Sequence, residues 1–226
     1  MLPVYAVVLT QRARDTRIPF GEIDHTKLVH AEQELVLHKP LQVEGTVNLT
    51  SKLTGIYDKG SGALVSTQTE AVDESGAPVF TTNSAAFIRG EGGFGGDRGP
   101  SSTWAAPDRA PDHEITVQIR QDQALLYRLS GDRNPLHADP KFAARGGFPR
   151  PILHGMCTYG VTARVLSRAV GADANSFASI YGRFSKPVIP GEKLTVRAWS
   201  DGNTHLFQTS DSSGDVVLDR GVLTTR

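Results

Sequence analysis

Residue types that move protons and orient water stand close together in one short stretch. They are Asp132, Asn134 and His137, within Ser130-Gly-Asp-Arg-Asn-Pro-Leu-His137. A carboxylate and an imidazole at this separation converge on one small molecule if the chain turns between them. Gly131 and Pro135 both favour such a turn. Near neutral pH the pair can share the removal and return of a proton on one water. Asn134 is suited to orient that water or the carboxylate. The same residues also fit a purely structural account. In it, Asp132 and Asn134 bond their own backbone and His137 is a satisfied core histidine.

A second feature lies downstream, where His154-Gly155 opens an apolar segment that runs to Val170. Free N–H groups at the start of a helix polarise a carbonyl oxygen as it gains negative charge. Glycine at 155 lets a ligand approach them, although close packing would also explain it. An acid/base pair beside an oxyanion donor is equipment for chemistry on the carbon skeleton next to a thioester or similar carbonyl.

These groups need elements to hold them. Asp139-Pro140 reads as the cap and first residue of a short helix that Gly146 or Gly147 ends. Gly155–Val170 reads as a longer helix with Val161, Val165, Leu166 and Ala169 on one stripe. Three strands with hairpin turns are expected over Thr46–Tyr57, Ala63–Val72 and Pro78–Ile88. Three more are expected over Lys193–Ser200, Thr204–Ser210 and Val216–Thr224. Each run follows a Lys-Pro pair (Lys39-Pro40, Lys186-Pro187), an extended stretch (Leu28–His38, Ser179–Ser185) and an apolar segment (Leu2–Leu9, Gly155–Val170). The pattern points to a degenerate internal duplication. The Gly-, Ser- and Pro-rich stretch within Gly92–Pro111 reads as the connection between the copies. The domain expectation is a first repeat over 1–98, a linker over 99–112 and a second, catalytic repeat over 113–226.

Composition narrows the function classes. The 226 residues carry 24 Lys and Arg against 24 Asp and Glu, so the formal net charge is zero. Binding of nucleic acid by bulk electrostatics normally shows a basic excess. The one cysteine, Cys157, excludes an intramolecular disulfide framework and a multi-cysteine zinc site. Val4–Leu9 is too short for a membrane span. No signal core opens the chain and Leu223–Arg226 is no sorting signal, so a soluble, cytoplasmic protein is expected.

Tyr127 through Ala143, with its Ser-Gly-Asp-x-Asn-Pro-Leu-His core, resembles the motif of the MaoC-like (R)-specific enoyl-CoA hydratases, the hydratase 2 family. Pro151-Ile-Leu-His-Gly-Met-Cys157 is similar to that family's helix start. His30-Ala-Glu-Gln33, His38-Lys-Pro-Leu41 and Tyr57-Asp-Lys-Gly-Ser-Gly62 resemble the first half of its two-hot-dog members. The resemblance covers nearly the whole chain. It implies an α+β double hot-dog, two curled antiparallel sheets each around a central helix, with an incomplete first repeat. Such members normally begin several dozen residues before the position of Met1.

The implied roles are specific. Asp132 and His137 would activate the water, with Asn134 beside them, and the Gly155 N–H would hold the thioester oxygen. His30, Ala31, Lys59 and Phe184 would line the CoA-thioester site, Ala31 standing where members often have Gly. The implied reaction is hydration of a trans-2-enoyl-CoA to a (3R)-3-hydroxyacyl-CoA, without redox cofactor or metal, by a homodimer. A hot-dog thioesterase and a non-catalytic acyl-CoA-binding partner subunit are the rival readings.

Other residues are expected to be structural. Cys157, near His154, reads as a small core residue rather than a nucleophile. His137 and Asp139 are metal-ligand types without a third ligand at telling spacing. His25, His113 and His205 show no partner, and Arg183, Lys186, Lys193 and Arg197 read as a solvated strand face.

Overall fold

The computed structural model describes residues 2–12 and 23–226. The chain runs α1 (Tyr5–Arg12), β1 (Leu28–Leu37), β2 (Asn48–Asp58), β3 (Gly62–Val72), β4 (Pro78–Arg89) and β5 (His113–Gln118). It continues through α2 (Gln123–Tyr127), α3 (Pro140–Arg145), α4 (Gly155–Ala169), β6 (Phe177–Phe184), β7 (Lys193–Asp201), β8 (Thr204–Ser210) and β9 (Val216–Thr225). The expected strands and the two expected helices in the second half are all present.

The sheet corrects the expectation of two separate sheets. All nine strands form one antiparallel sheet in the order β2-β3-β4-β1-β6-β9-β8-β7-β5. Its middle is the β1–β6 pair, where Glu32, Glu34 and Val36 lie opposite Arg183, Tyr181 and Ser179. Each half leaves the N–H and C=O groups of one strand free, and pairing those two strands satisfies them. Outward from this joint the order mirrors itself. β1-β4-β3-β2 answers β6-β9-β8-β7, and β5 adds a further strand beyond β7. The outer edge of β2 has no partner strand among the described residues.

One core joins the halves. Val4, just before α1, and Ala6 and Val7 of α1 belong to the same buried cluster as Tyr159, Ala163 and Leu166 of α4, with Leu35, Phe80, Ile180 and Phe207 from the sheet. The buried face of α4 keeps Val165 and Leu166 of the expected stripe but extends beyond it. Tyr159, Thr162, Ala163 and Leu166 are fully buried, while Val161 and Ala169 are only partly so. Hydroxyl bonds explain why Tyr and Thr take the inner face: Tyr159 donates to the Ile180 carbonyl at 2.8 Å, and Thr162 meets Thr209 at 2.9 Å.

The connection between halves is pinned rather than loose. The buried Asp58 carboxylate accepts N–H bonds from Gly60, Gly93 and Gly95 at 2.7–2.8 Å. These bonds hold its pKa below the usual carboxylate range. Trp104 donates to the Gly221 carbonyl, and Trp199 to that of Arg109. Polar anchors thus replace the apolar burial that the composition lacks. No helix among the described residues is long and apolar enough to cross a membrane.

Candidate active site

The Ser130–His137 stretch folds as two single turns of 3-10 helix, Arg128–Ser130 and Pro135–His137, around Gly131 at φ 127°. Only glycine adopts that conformation freely. The local bonds of the structural account are present. Asp132 Oδ1 accepts the Asn134 N–H at 3.1 Å, and Asn134 Oδ1 accepts the Leu136 N–H at 3.0 Å. They do not exhaust the site, because both residues also line a cavity.

That cavity has a volume of about 600 Å³ and lies between the halves. The second half supplies Asp132, Asn134, His137, Gly155 and Phe184, and the first half supplies His30. Of the expected site residues, six therefore meet in one space. Two do not line it. Ala31 is the extra residue of a bulge in β1, where the register against β4 shifts between His30 and Glu32. The bulge lets His30 reach the cavity while Gln33, three residues on, is buried. Lys59 lies on the β2–β3 turn, where its ammonium bonds the Arg98 carbonyl and sits 5.7 Å from the Tyr57 ring.

His137 Nδ1 lies 2.8 Å from the Ile152 carbonyl. A carbonyl only accepts, so Nδ1 carries the proton and the neutral ring keeps its Nε2 lone pair. Burial, only partly opposed by that bond and by the Asp132 charge, holds the His137 pKa below its ordinary value. Burial thus favours the neutral imidazole, with its free lone pair on Nε2. His154 stacks on it with ring centroids 3.7 Å apart, tilted by 27°. The ligand atoms of Asp132, His137 and His154 lie within 4.8 Å of one another, and no such cluster includes Asp139 among the described residues.

The first backbone bonds of α4 run from Cys157 and Thr158 to the His154 carbonyl. The N–H groups of Gly155 and Met156 precede them and have no partner among the described residues. A Cβ at position 155 would come within 3.2 Å of the Phe184 ring, so glycine admits both the ring and an approaching ligand. His30 packs against the other side of this region. Its Nε2 is 3.0 Å from both the Glu32 carbonyl and Ser84 Oγ, and burial pulls its pKa down to about 4.

Sequence reasoning did not place His154, Ser84, Thr158 or Arg89 at the site, although His154 stood in the quoted motif. Ser84, Arg89 and Thr158 are ordinary strand and helix residues whose position depends on pairing. Arg89 lines the cavity from β4 and donates to the carbonyls of Thr26 and Gly146, bridging the halves. His205 does have a partner: Ser200 Oγ lies 2.8 Å from its Nδ1. Arg197 pairs with Glu114 as a solvated face should, whereas Lys186 pairs with Asp215 and also lines the cavity. Cys157 is buried and its thiol is pushed up to about 12, so it stays protonated and packs as a core residue.

Comparison with known proteins gives the family of the chain. The MaoC like domain family profile matches residues 102–221, and that of the MFE-2 hydratase 2 N-terminal domain matches residues 1–90. Enoyl-CoA hydratase ChsH3 of Mycobacterium tuberculosis is 46% identical over 187 residues, which span 82% of this chain and 65% of that protein. 3-Hydroxyacyl-thioester dehydratase Y of the same organism is 43% identical, covering 99% of this chain and 81% of its own. The crystal structure of a MaoC-like dehydratase from Phytophthora capsici superposes with a TM-score of 0.89 at 37% identity, covering 100% of this chain and 82% of that one. Fold and site together define a MaoC-like dehydratase of the hot-dog class. This chain belongs to that family, with a hydratase 2 N-terminal half joined to a MaoC-like half.

Proposed function

We propose that this protein is a lyase that hydrates trans-2-enoyl-CoA to (3R)-3-hydroxyacyl-CoA. The observation that carries the reading is the convergence of Asp132, His137 and the Gly155 helix start on one cavity. A water held by the Asp132 carboxylate and His137 Nε2 loses a proton as its oxygen bonds C3. The electron pair of the C2–C3 double bond moves toward the thioester, whose oxygen gains charge and takes the Gly155 N–H. The proton returns to C2 on the same face, so one water is consumed and nothing is left over. The thioester is the electron sink, and the reading invokes no redox cofactor or metal. The R configuration is supported by the family alone.

The architecture belongs to the same reading. The mirrored strand order and the two profile matches support a double hot-dog with repeats over 1–98 and 113–226 joined by 99–112. Lys59 and Ala31 are assigned to CoA binding on family resemblance only. A cytoplasmic homodimer completes the proposal, and light scattering and cell fractionation test that part.

The decisive test is the loss of conjugated enoyl-thioester absorbance with crotonyl-CoA and a long-chain enoyl-CoA. Wild type should react, and Asp132→Asn should lose about 100- to 10,000-fold in rate. Release of free CoA thiol instead would identify a thioesterase. Thioester binding with no reaction in either protein would identify a non-catalytic partner.

A further inference from the structure

His154 has no part in the steps above, yet it is only 1% exposed. It occupies the position that precedes the first residue of α4 and makes no side-chain capping bond there. Helix starts favour Ser, Thr, Asp or Asn at that place, because those side chains satisfy a free N–H. The imidazole is turned to other partners. Its ring stacks on His137, and its Nε2 lies 3.2 Å from the Asp132 backbone carbonyl. His137 in turn donates to the carbonyl of Ile152, two residues before His154. The three-residue piece Ile152–His154 therefore grips both members of the acid/base pair.

We infer that His154 is a positioning residue of the hydration site, fixing the ring plane of His137 and the backbone of Asp132. The inference rests on the hydratase reading. The Asp132 carbonyl accepts, so His154 Nε2 carries its proton and Nδ1 keeps a lone pair, buried without a partner among the described residues. The stack fails if both rings are charged, since two imidazolium rings at this distance repel. The charged or titratable groups around the pair are Asp132, Arg128 and Tyr127 on the preceding turns and Cys157 on α4, with His30, Arg89 and Lys186 lining the same cavity as His137. Burial raises the pKa of Tyr127 and Cys157 and keeps both neutral. Burial also lowers His154 to about 4, so neither stacked ring is charged at physiological pH.

Two variants separate the two jobs. His154→Phe keeps a flat ring behind His137 and removes the bond to Asp132. His154→Gln keeps a donor within reach of Asp132 and removes the stack. Folding is checked by circular dichroism. With crotonyl-CoA, His154→Phe should lose about 10-fold in kcat, the worth of one hydrogen bond, with KM unchanged. Its acid limb should stay in place. His154→Gln should lose about 100-fold, because misplaced reacting groups cost that much. Its acid limb should move up toward pH 6.5, the ordinary histidine value, as water reaches His137.

A purely structural His154 would lower the melting temperature and leave the acid limb and the kcat of the folded fraction alone. That result overturns the inference. Nitrogen-15 NMR of the wild-type imidazoles gives an answer even if both variants misfold. A proton on Nδ1 rather than Nε2 of His154 at pH 7 also overturns it. Asp132→Asn is measured beside them. If it is inactive while both His154 variants keep wild-type kinetics, only this inference fails. If Asp132→Asn retains full activity, the hydratase reading fails.

Discussion

His30 of the first half packs its ring against Phe184 of the second, with centroids 4.9 Å apart and planes tilted by 49°. This contact bridges the β1–β6 joint, and Phe184 is also the neighbour that a side chain at Gly155 would meet. Gly155→Ala should therefore push the Phe184 ring by a few tenths of an ångström and narrow the approach to the helix start. Steady-state kinetics should show KM for the enoyl thioester raised several-fold, with a smaller fall in kcat. Phe184→Leu in the same chain should recover most of the loss. No effect of Gly155→Ala would remove the close-approach role given to that position.

Stability should fall as the pH drops from about 6.5 to about 4. His30 and His154 both have folded pKa values near 4, and His137 is also lowered. In the unfolded chain each returns to about 6.5. Within that window the unfolded state binds protons that the folded state refuses. A group with a lowered folded pKa stabilises the fold above its unfolded pKa and loses that contribution as pH falls. Each fully titrating histidine contributes a slope of about 1.4 kcal/mol per pH unit. Urea midpoints at pH 7 and pH 5 should differ clearly, and His30→Phe should flatten the slope.

Asp58→Ala should loosen the connection between halves. It leaves the N–H groups of Gly60, Gly93 and Gly95 without their shared acceptor. The melting temperature should drop by several degrees, and limited proteolysis should cut first between 90 and 111. Hydration by the surviving folded protein should persist, because Asp58 does not line the cavity.

Leu35→Ala probes the joint itself. Leu35 of β1 lies opposite Ile180 of β6, and both are fully buried. Truncation should destabilise the fold by about 2–5 kcal/mol, the usual range for an enclosed leucine. Chemical denaturation measures this. A single cooperative transition in wild type, lost in the variant, would mark the joint as what makes the halves unfold together.

Much of the site was legible because its spacing is local. Asp132, Asn134 and His137 share one turn-rich loop, and Asp139-Pro140 and Gly155 announce helix starts through cap and glycine chemistry. Strand positions followed from alternation and from the hairpin turns between them. The inner face of α4 was legible only at Val165 and Leu166, because Thr162 and Tyr159 count as polar until their hydroxyl partners, Thr209 and Ile180, are known. His154 was missed for the same reason: its value lies in a ring stacked against a residue 17 positions away.

By itself, then, the sequence determined the clustering of Asp132, Asn134 and His137, the strands and helices, and the repeated order of elements, since these depend on side-chain type and short-range backbone preference. Tertiary structure decided the rest. It joined two expected sheets into one by pairing β1 with β6, and it drew His30 and Phe184 together over Gly155. It also pinned a glycine-rich connection to the Asp58 carboxylate. Each of these is a contact between residues far apart in the chain. Such contacts form only when burial and hydrogen bonding across the whole molecule are satisfied at once, and no local pattern encodes that condition.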